Sequence, residues 1–92
     1  VSLRAPAAPR FAVVRGTVHA PGAGGDFLFL NFAEDFRRDF TIRIQRRDRT
    51  AFKRAGLDPA TLAGRTLRCR GWLFAQAGPM IEATLPFQLT LV

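Results

Sequence analysis

The sequence predicts an all-β fold, a five-stranded barrel with a short helical segment between its third and fourth strands. Three observations lead there. Apolar and polar residues alternate with period two in several short stretches, the spacing at which strand side chains face opposite sides. Helix start and stop signals are confined to the interval between Asp48 and Gly64. The chain has 92 residues, 48% of them hydrophobic and nine of them Phe, enough for one small core and too few for two.

Residues 1–10 carry two Pro, three Ala and two Arg without periodicity and read as a linker or a trimmed boundary, which leaves 11–92 as the domain. In FAVVRGTVH, residues 11–19, Ala12, Val14, Gly16 and Val18 share one face and Phe11, Val13, Arg15 and Thr17 the other, which makes the first strand. Gly16 inside it suggests a bulge or a tight coil. The stretch APGAGGD, residues 20–26, reads as a loop. FLFLNF, residues 27–32, is apolar on both faces and forms the second strand. Phe40, Ile42 and Ile44 alternate with Thr41, Arg43 and Gln45 in the third.

Asp48 is placed to cap a turn holding Ala51, Phe52 and Ala55, with Gly56 as its stop. Asp58 and Pro59 form a second cap and first-turn pair, with Leu62 inward and Gly64 as terminator. Residues 65–74 alternate again, Leu67, Cys69, Gly71 and Leu73 against Arg68, Arg70, Trp72 and Phe74, and form the fourth strand. After the turn at Ala77, Gly78 and Pro79, residues 80–84 make a fifth, and 87–92 either continue it or add a short sixth. Ala12, Val14, Val18, Leu28, Leu30, Phe40, Ile42, Ile44, Phe52, Leu62, Leu67, Leu73 and Ile81 are the expected core. Three strands, a helical connection and two strands is the order of the OB-fold barrel. A small SH3-type barrel is the main alternative, and it usually lacks a helix of this length at that point.

Several functions are excluded or disfavoured. No apolar run approaches the 18 or so residues of a membrane span, so no membrane partner is expected. One Cys and one His cannot form an internal disulfide or a Cys/His zinc site. No catalytic motif surrounds Cys69 or His19, so the domain is read as a non-enzyme with no cofactor or metal. Glu34, Asp35 and Asp39 could gather oxygen ligands for a hard cation, but Arg37 and Arg38 beside them oppose it.

The charge points the other way, toward polyanions. The formal net charge is +7 and thirteen of the fourteen cations are Arg, whose planar fork suits phosphate. Eight basic and two acidic residues fall between Phe36 and Arg54, and Arg65, Arg68 and Arg70 follow.

The stretch FLFLNFAEDFRRDFT, residues 27–41, with AGLDPATLAGRTLRCRGWL and GPMIEAT after it, resembles an OB-type domain of bacterial proteins of the staphylococcal-nuclease-like (thermonuclease) group. The matching residues are Phe29, Leu30, Asn31 and Phe32, then Phe36, Arg37, Asp39, Phe40 and Thr41, then Gly71, Trp72 and Leu73, then Gly78, Pro79, Ile81 and Glu82. Ala33 stands where Gly is more usual, Phe36 where Trp is, and Leu85, Pro86, Phe87 and Gln88 where a His-Pro-x-Gln segment is. The nuclease signature, an acidic calcium-binding cluster with two Arg and a Glu, is not recognisable. The resemblance therefore implies an OB fold and a nuclease-like domain as neighbour in a longer chain, and no activity.

OB barrels bind oligonucleotides on the face of strands two and three, flanked by the first and last inter-strand loops, through aromatic stacking and a cationic path for the backbone. The expected nucleic-acid-binding residues are Arg37, Arg38, Arg43, Arg68, Arg70, Phe36 and Trp72, with Phe27, Phe29 and Phe74 as further rings and single-stranded DNA or RNA as the partner. If the Leu67, Cys69 and Leu73 face is core, Trp72 lies outside beside Arg68 and Arg70, where a guanidinium could cover it. Asp39 with Arg37 or Arg38, and Glu82 with an Arg of the fourth strand, are expected ion pairs. The alternative is a structural or protein-interaction domain whose Arg residues are paired or solvated.

Overall fold

A computed structural model of the chain describes residues 8–32 and 40–92. Its sheet is mostly antiparallel and built from seven strands: β1 (Arg10–Thr17), β2 (Ala20–Gly24), β3 (Phe27–Asn31), β4 (Thr41–Gln45), β5 (Thr66–Ala75), β6 (Pro79–Glu82) and β7 (Leu89–Leu91). They follow the order β1-β5-β6-β4-β3-β2, with β7 paired to β5. The pairing of β4 with β6 is parallel, Ile42 opposite Ile81 and Arg43 opposite Glu82. One short helix, α1 (Arg49–Arg54), and a 3-10 turn, Pro59–Thr61, lie between β4 and β5.

Inward residues of these strands meet in one core. Val14, Val18, Leu30, Phe40, Ile42, Ile44, Leu67, Leu73 and Ile81 are buried as the alternation requires, and Phe52 and Leu62 join them from the helical connection. Ala12 and Leu28 are only partly buried against that cluster, while Cys69, Leu57, Ala83 and Leu89 belong to it. Gly56 and Gly64 have φ of +76° and +79°, the left-handed conformation that ends each helical piece. Asp58 caps its turn, Oδ1 accepting from the Ala60 N–H at 3.1 Å. Asp48 sits at the start of α1 but makes no side-chain cap bond, because a 3-10 turn over Arg46–Asp48 already leads the chain into the helix.

Three expectations are corrected. The sheet has seven strands and does not close on itself, β1 and β2 being the ends of its order and unpaired with each other, where a five-stranded barrel was expected. Residues 20–24 are not loop but strand β2, which pairs with β3 through the two-residue turn at Gly25 and Asp26 and lies at the end of the sheet order, where Pro21 is tolerated. Gly16 makes no bulge, since the ladder from Arg10 opposite Leu73 to Thr17 opposite Thr66 is unbroken. What requires glycine there is a neighbour, for a Cβ at position 16 would lie 2.5 Å from Phe32 Cδ2.

At the chain's end, Pro86–Gln88 form a 3-10 turn before β7. Gln88 fastens this turn to β5. Its Nε2 donates to the Arg70 carbonyl at 3.1 Å, and its Oε1 accepts from the Thr84 and Leu85 N–H groups at 2.9 and 3.0 Å.

Candidate functional site

Because β1 and β5 are antiparallel and in register, their outward residues form cross-strand pairs: Phe11 with Trp72, Val13 with Arg70, Arg15 with Arg68, and Thr17 with Thr66. Inward Val14, Leu67, Cys69 and Leu73 fix which face is outside. Trp72 is 62% exposed and Phe11 and Val13 are each 59% exposed, with the Phe11 ring edge-on to Trp72 at a centroid distance of 6.0 Å. At the other end of the stripe the two threonine hydroxyls share a hydrogen bond of 2.9 Å. Between them stand Arg15, Arg68 and Arg70, all exposed.

No acidic residue occurs on β1, β5 or β7. The side-chain carboxylates among the described residues, Asp26, Asp48, Asp58 and Glu82, lie at the β2–β3 turn, in the helical connection and on β6. Arg15 and Arg68 directly oppose one another, an arrangement of like charges that weakens a strand pair. An anion laid over this face would relieve that repulsion.

Arg43 is differently placed. On the outward side of β4 it lies between Phe29 of β3 and Glu82 of β6. Its Nε donates to Glu82 Oε1 at 2.9 Å, its Nη1 to Gln76 Oε1 at 3.1 Å, and its guanidinium carbon lies 4.5 Å from the Phe27 ring centroid and 5.1 Å from that of Phe74. Its side chain is only 16% exposed. The same residue helps line a groove of about 380 Å³ with Phe27, Phe29, Asn31, Thr41 and Met80. Thr41 Oγ1 donates to Asn31 Oδ1 at 3.4 Å, and Ala77, at φ +56°, forms part of the rim beside Gln76.

Of the residues expected to bind nucleic acid, Phe36, Arg37 and Arg38 lie outside the described residues, as do Glu34, Asp35 and Asp39. Arg68, Arg70 and Trp72 are brought together. Arg43 is set apart from them by its ion pair, and Glu82 therefore pairs with β4 rather than with an Arg of β5. Among the described residues Trp72 is met by the Phe11 ring and not by the covering guanidinium that was expected. Phe11 and Arg15 are the additions the structure makes to the site. Their signal was the period-two pattern of the first strand, which places both on the polar-facing side. Cys69 is buried inward of this face, and burial pushes its thiol up to about 12. No three of His, Cys, Asp and Glu gather into a metal site among the described residues.

The sequence matches no protein-family model and no curated protein. What the site can do rests on its own chemistry. An exposed indole with Arg70 beside it and Arg15 and Arg68 further along the same face, on strands that carry no carboxylate, offers a stacking surface and a row of charge-assisted donors.

Proposed function

We propose that this chain is a non-catalytic OB-type module that binds single-stranded nucleic acid, an accessory domain of a longer protein. The observation that carries the reading is the β1–β5 face, where Trp72 and Phe11 stand exposed beside Arg15, Arg68 and Arg70 with no acidic residue on any of the three strands. Unstacked bases pack on such rings at about 1 to 3 kcal/mol each, and the cations neutralise phosphates.

The order of pairing, with its parallel β4–β6 pair, is compatible with an OB topology although the sheet is open between β1 and β2. Val18 N–H donates to the Arg65 carbonyl at 2.9 Å and His19 N–H to the Asn31 carbonyl at 2.8 Å, so the chain passes from β5 to β3 as partner within two residues. If β1 and β2 are counted as one bent strand, and β6 and β7 as a broken last one, the seven strands group into five units with the helix between the third and fourth. The resemblance of 27–41 and of Gly71, Trp72 and Leu73 to the OB-type domain of the nuclease-like group agrees with that reading and suggests a nuclease-like neighbour.

The test is a salt series on a single-stranded oligonucleotide. Trp72→Ala should weaken binding at every salt concentration with the slope preserved, while Arg68→Ala should flatten the slope by about one ion. Arg43→Ala, already neutralised by Glu82, should leave the slope unchanged. Parent-like binding by both the Trp72 and the Arg68 variants would reject the nucleic-acid reading. A protein-interaction module is the alternative, favoured by Phe11, Val13 and Trp72 exposed side by side, since Trp, Phe and Arg are enriched at protein interfaces.

A further inference from the structure

Two strands end the sheet order, and they are protected unequally against pairing with another chain. β2 carries Pro21 and packs against the Pro59–Thr61 turn. β1 runs for eight residues with neither Pro nor bulge, and its odd positions, Phe11, Val13, Arg15 and Thr17, are exposed. It is the open edge.

The hydrogen bonds around β1 show which way its backbone faces. Along an antiparallel pair, successive residues alternate between turning N–H and C=O toward the partner and turning them away. The Val18 N–H donates to the Arg65 carbonyl at 2.9 Å, and the Val18 carbonyl accepts from the Gly64 N–H at 2.8 Å, so the even residues of β1 face β5. On β5 the Thr66 carbonyl accepts from the Val92 N–H at 3.0 Å and the Arg70 carbonyl from Gln88 Nε2 at 3.1 Å, so there the odd residues face β1. The register agrees, with Val14 opposite Cys69 and Ala12 opposite Gly71. Phe11, Val13 and Arg15 therefore direct their N–H and C=O groups to the open edge, where no backbone hydrogen bond reaches them among the described residues.

Side chains decide what fits there. Outward, Arg15 lies on the edge strand and Arg70 directly behind Val13, and neither β1 nor β5 carries a carboxylate. An Arg side chain is long enough to reach across the roughly 4.8 Å between strands. Inward, Ala12 is only partly buried against the core, so apolar side chains of an added strand would extend that core past it. A second copy of this chain would bring its own charge of +7 and a second set of Arg, which repulsion opposes. An acidic strand meets no such penalty.

We propose that the open edge of β1 takes an extended acidic peptide segment as an added strand, held by backbone hydrogen bonds at Phe11, Val13 and Arg15 and by carboxylates beside Arg15 and Arg70. The partner is a protein segment with Asp or Glu at alternate positions and β-branched apolar residues between them. This site is independent of the nucleic-acid reading, which uses the rings and guanidiniums of the outer face and no backbone group.

The probe is a blocked heptapeptide of alternating Glu and Val, titrated into the full chain at low salt and followed by amide hydrogen exchange. Saturation should slow the Phe11, Val13 and Arg15 amides at least about tenfold, while Ala12 and Val14, already bonded to β5, change little. The same peptide with Lys for Glu should bind at least about tenfold more weakly. Successive peptide residues turn their N–H groups to opposite sides, so N-methylation of one alternate set should abolish the slowing and N-methylation of the other should leave it. Val13→Pro removes an edge N–H without touching the β5 ladder and should weaken the peptide at least about tenfold, with Ala12 and Val14 still protected. Binding that slows none of the three amides, or an equal effect of both methylations, would mean attraction by charge alone and overturn the proposal. So would the absence of binding at low salt. Slowing that rises with protein concentration in the absence of peptide would make a second copy the occupant, and equal slowing of these amides by oligo-dT would trace the effect to the outer face; either result also overturns it.

Discussion

Cys69 and Arg70 adjoin on β5 and face opposite environments, and the difference predicts a pH effect. Cys69 is wholly buried, and desolvation raises its thiol from 9.0 to about 12. In the unfolded chain the thiol ionises near its ordinary value, so above about pH 9 the unfolded state sheds a proton that the folded state keeps. Stability from this group is therefore complete below pH 9 and declines as pH rises toward 12, by at most about 1.4 kcal/mol per pH unit. The sequence has no Tyr, whose phenol would otherwise ionise over the same range. Denaturant melts between neutral pH and pH 11 should show the decline in the parent and lose it in Cys69→Ala. Gly16 carries a second residue-scale prediction. Gly16→Ala drives a methyl into the Phe32 ring, itself edge-on to Phe40 at 5.1 Å, and should cost about 1 to 3 kcal/mol in chemical denaturation. Period-two reading located this glycine but misjudged its reason, because Phe32 is sixteen positions away and reaches it only through the fold.

At the scale of elements, α1 is six residues long, far below the length at which a helix persists alone in water. What holds it is Phe52, with no exposed surface, packed into the core beneath the sheet. Phe52→Ala should cost about 3 to 5 kcal/mol by denaturant titration. A loss under about 1 kcal/mol would mean that α1 is only a surface connection. The strands and helical pieces with their own pattern were legible from the sequence: the alternation of β1, β4 and β5, the stops at Gly56 and Gly64, the cap at Asp58. β2 was not, because Ala, Pro and Gly have poor strand preference and its pairing is supplied by Phe27–Asn31 across the turn. The same non-locality hid the switch after β1, where the Val18 N–H donates to Arg65 and the next N–H, of His19, to Asn31 of β3.

For the molecule as a whole, the candidate site was legible where its members share a strand and hidden where they do not. Arg68, Arg70 and Trp72 alternate along β5, so their common face follows from spacing alone. Arg43 looked like their companion until Glu82, 39 positions away, neutralised it. The surplus of +7 also sets a background that any polyanion can exploit, so binding at low salt does not distinguish a base-reading surface from a merely cationic one. Salt does. Counterion release fades as salt rises, whereas stacking on Trp72 and Phe11 involves no ions and persists. Inorganic polyphosphate presents the charge without the bases. Against an oligo-dT of equal charge it should bind comparably at low salt and fall well behind at about 0.5 M, where the Debye length has shrunk to a few ångströms. The gap should close in Trp72→Ala and remain in Arg68→Ala. Equal loss of both ligands with salt in the parent would mean that the Arg residues act as charge alone and that the exposed rings serve a protein partner.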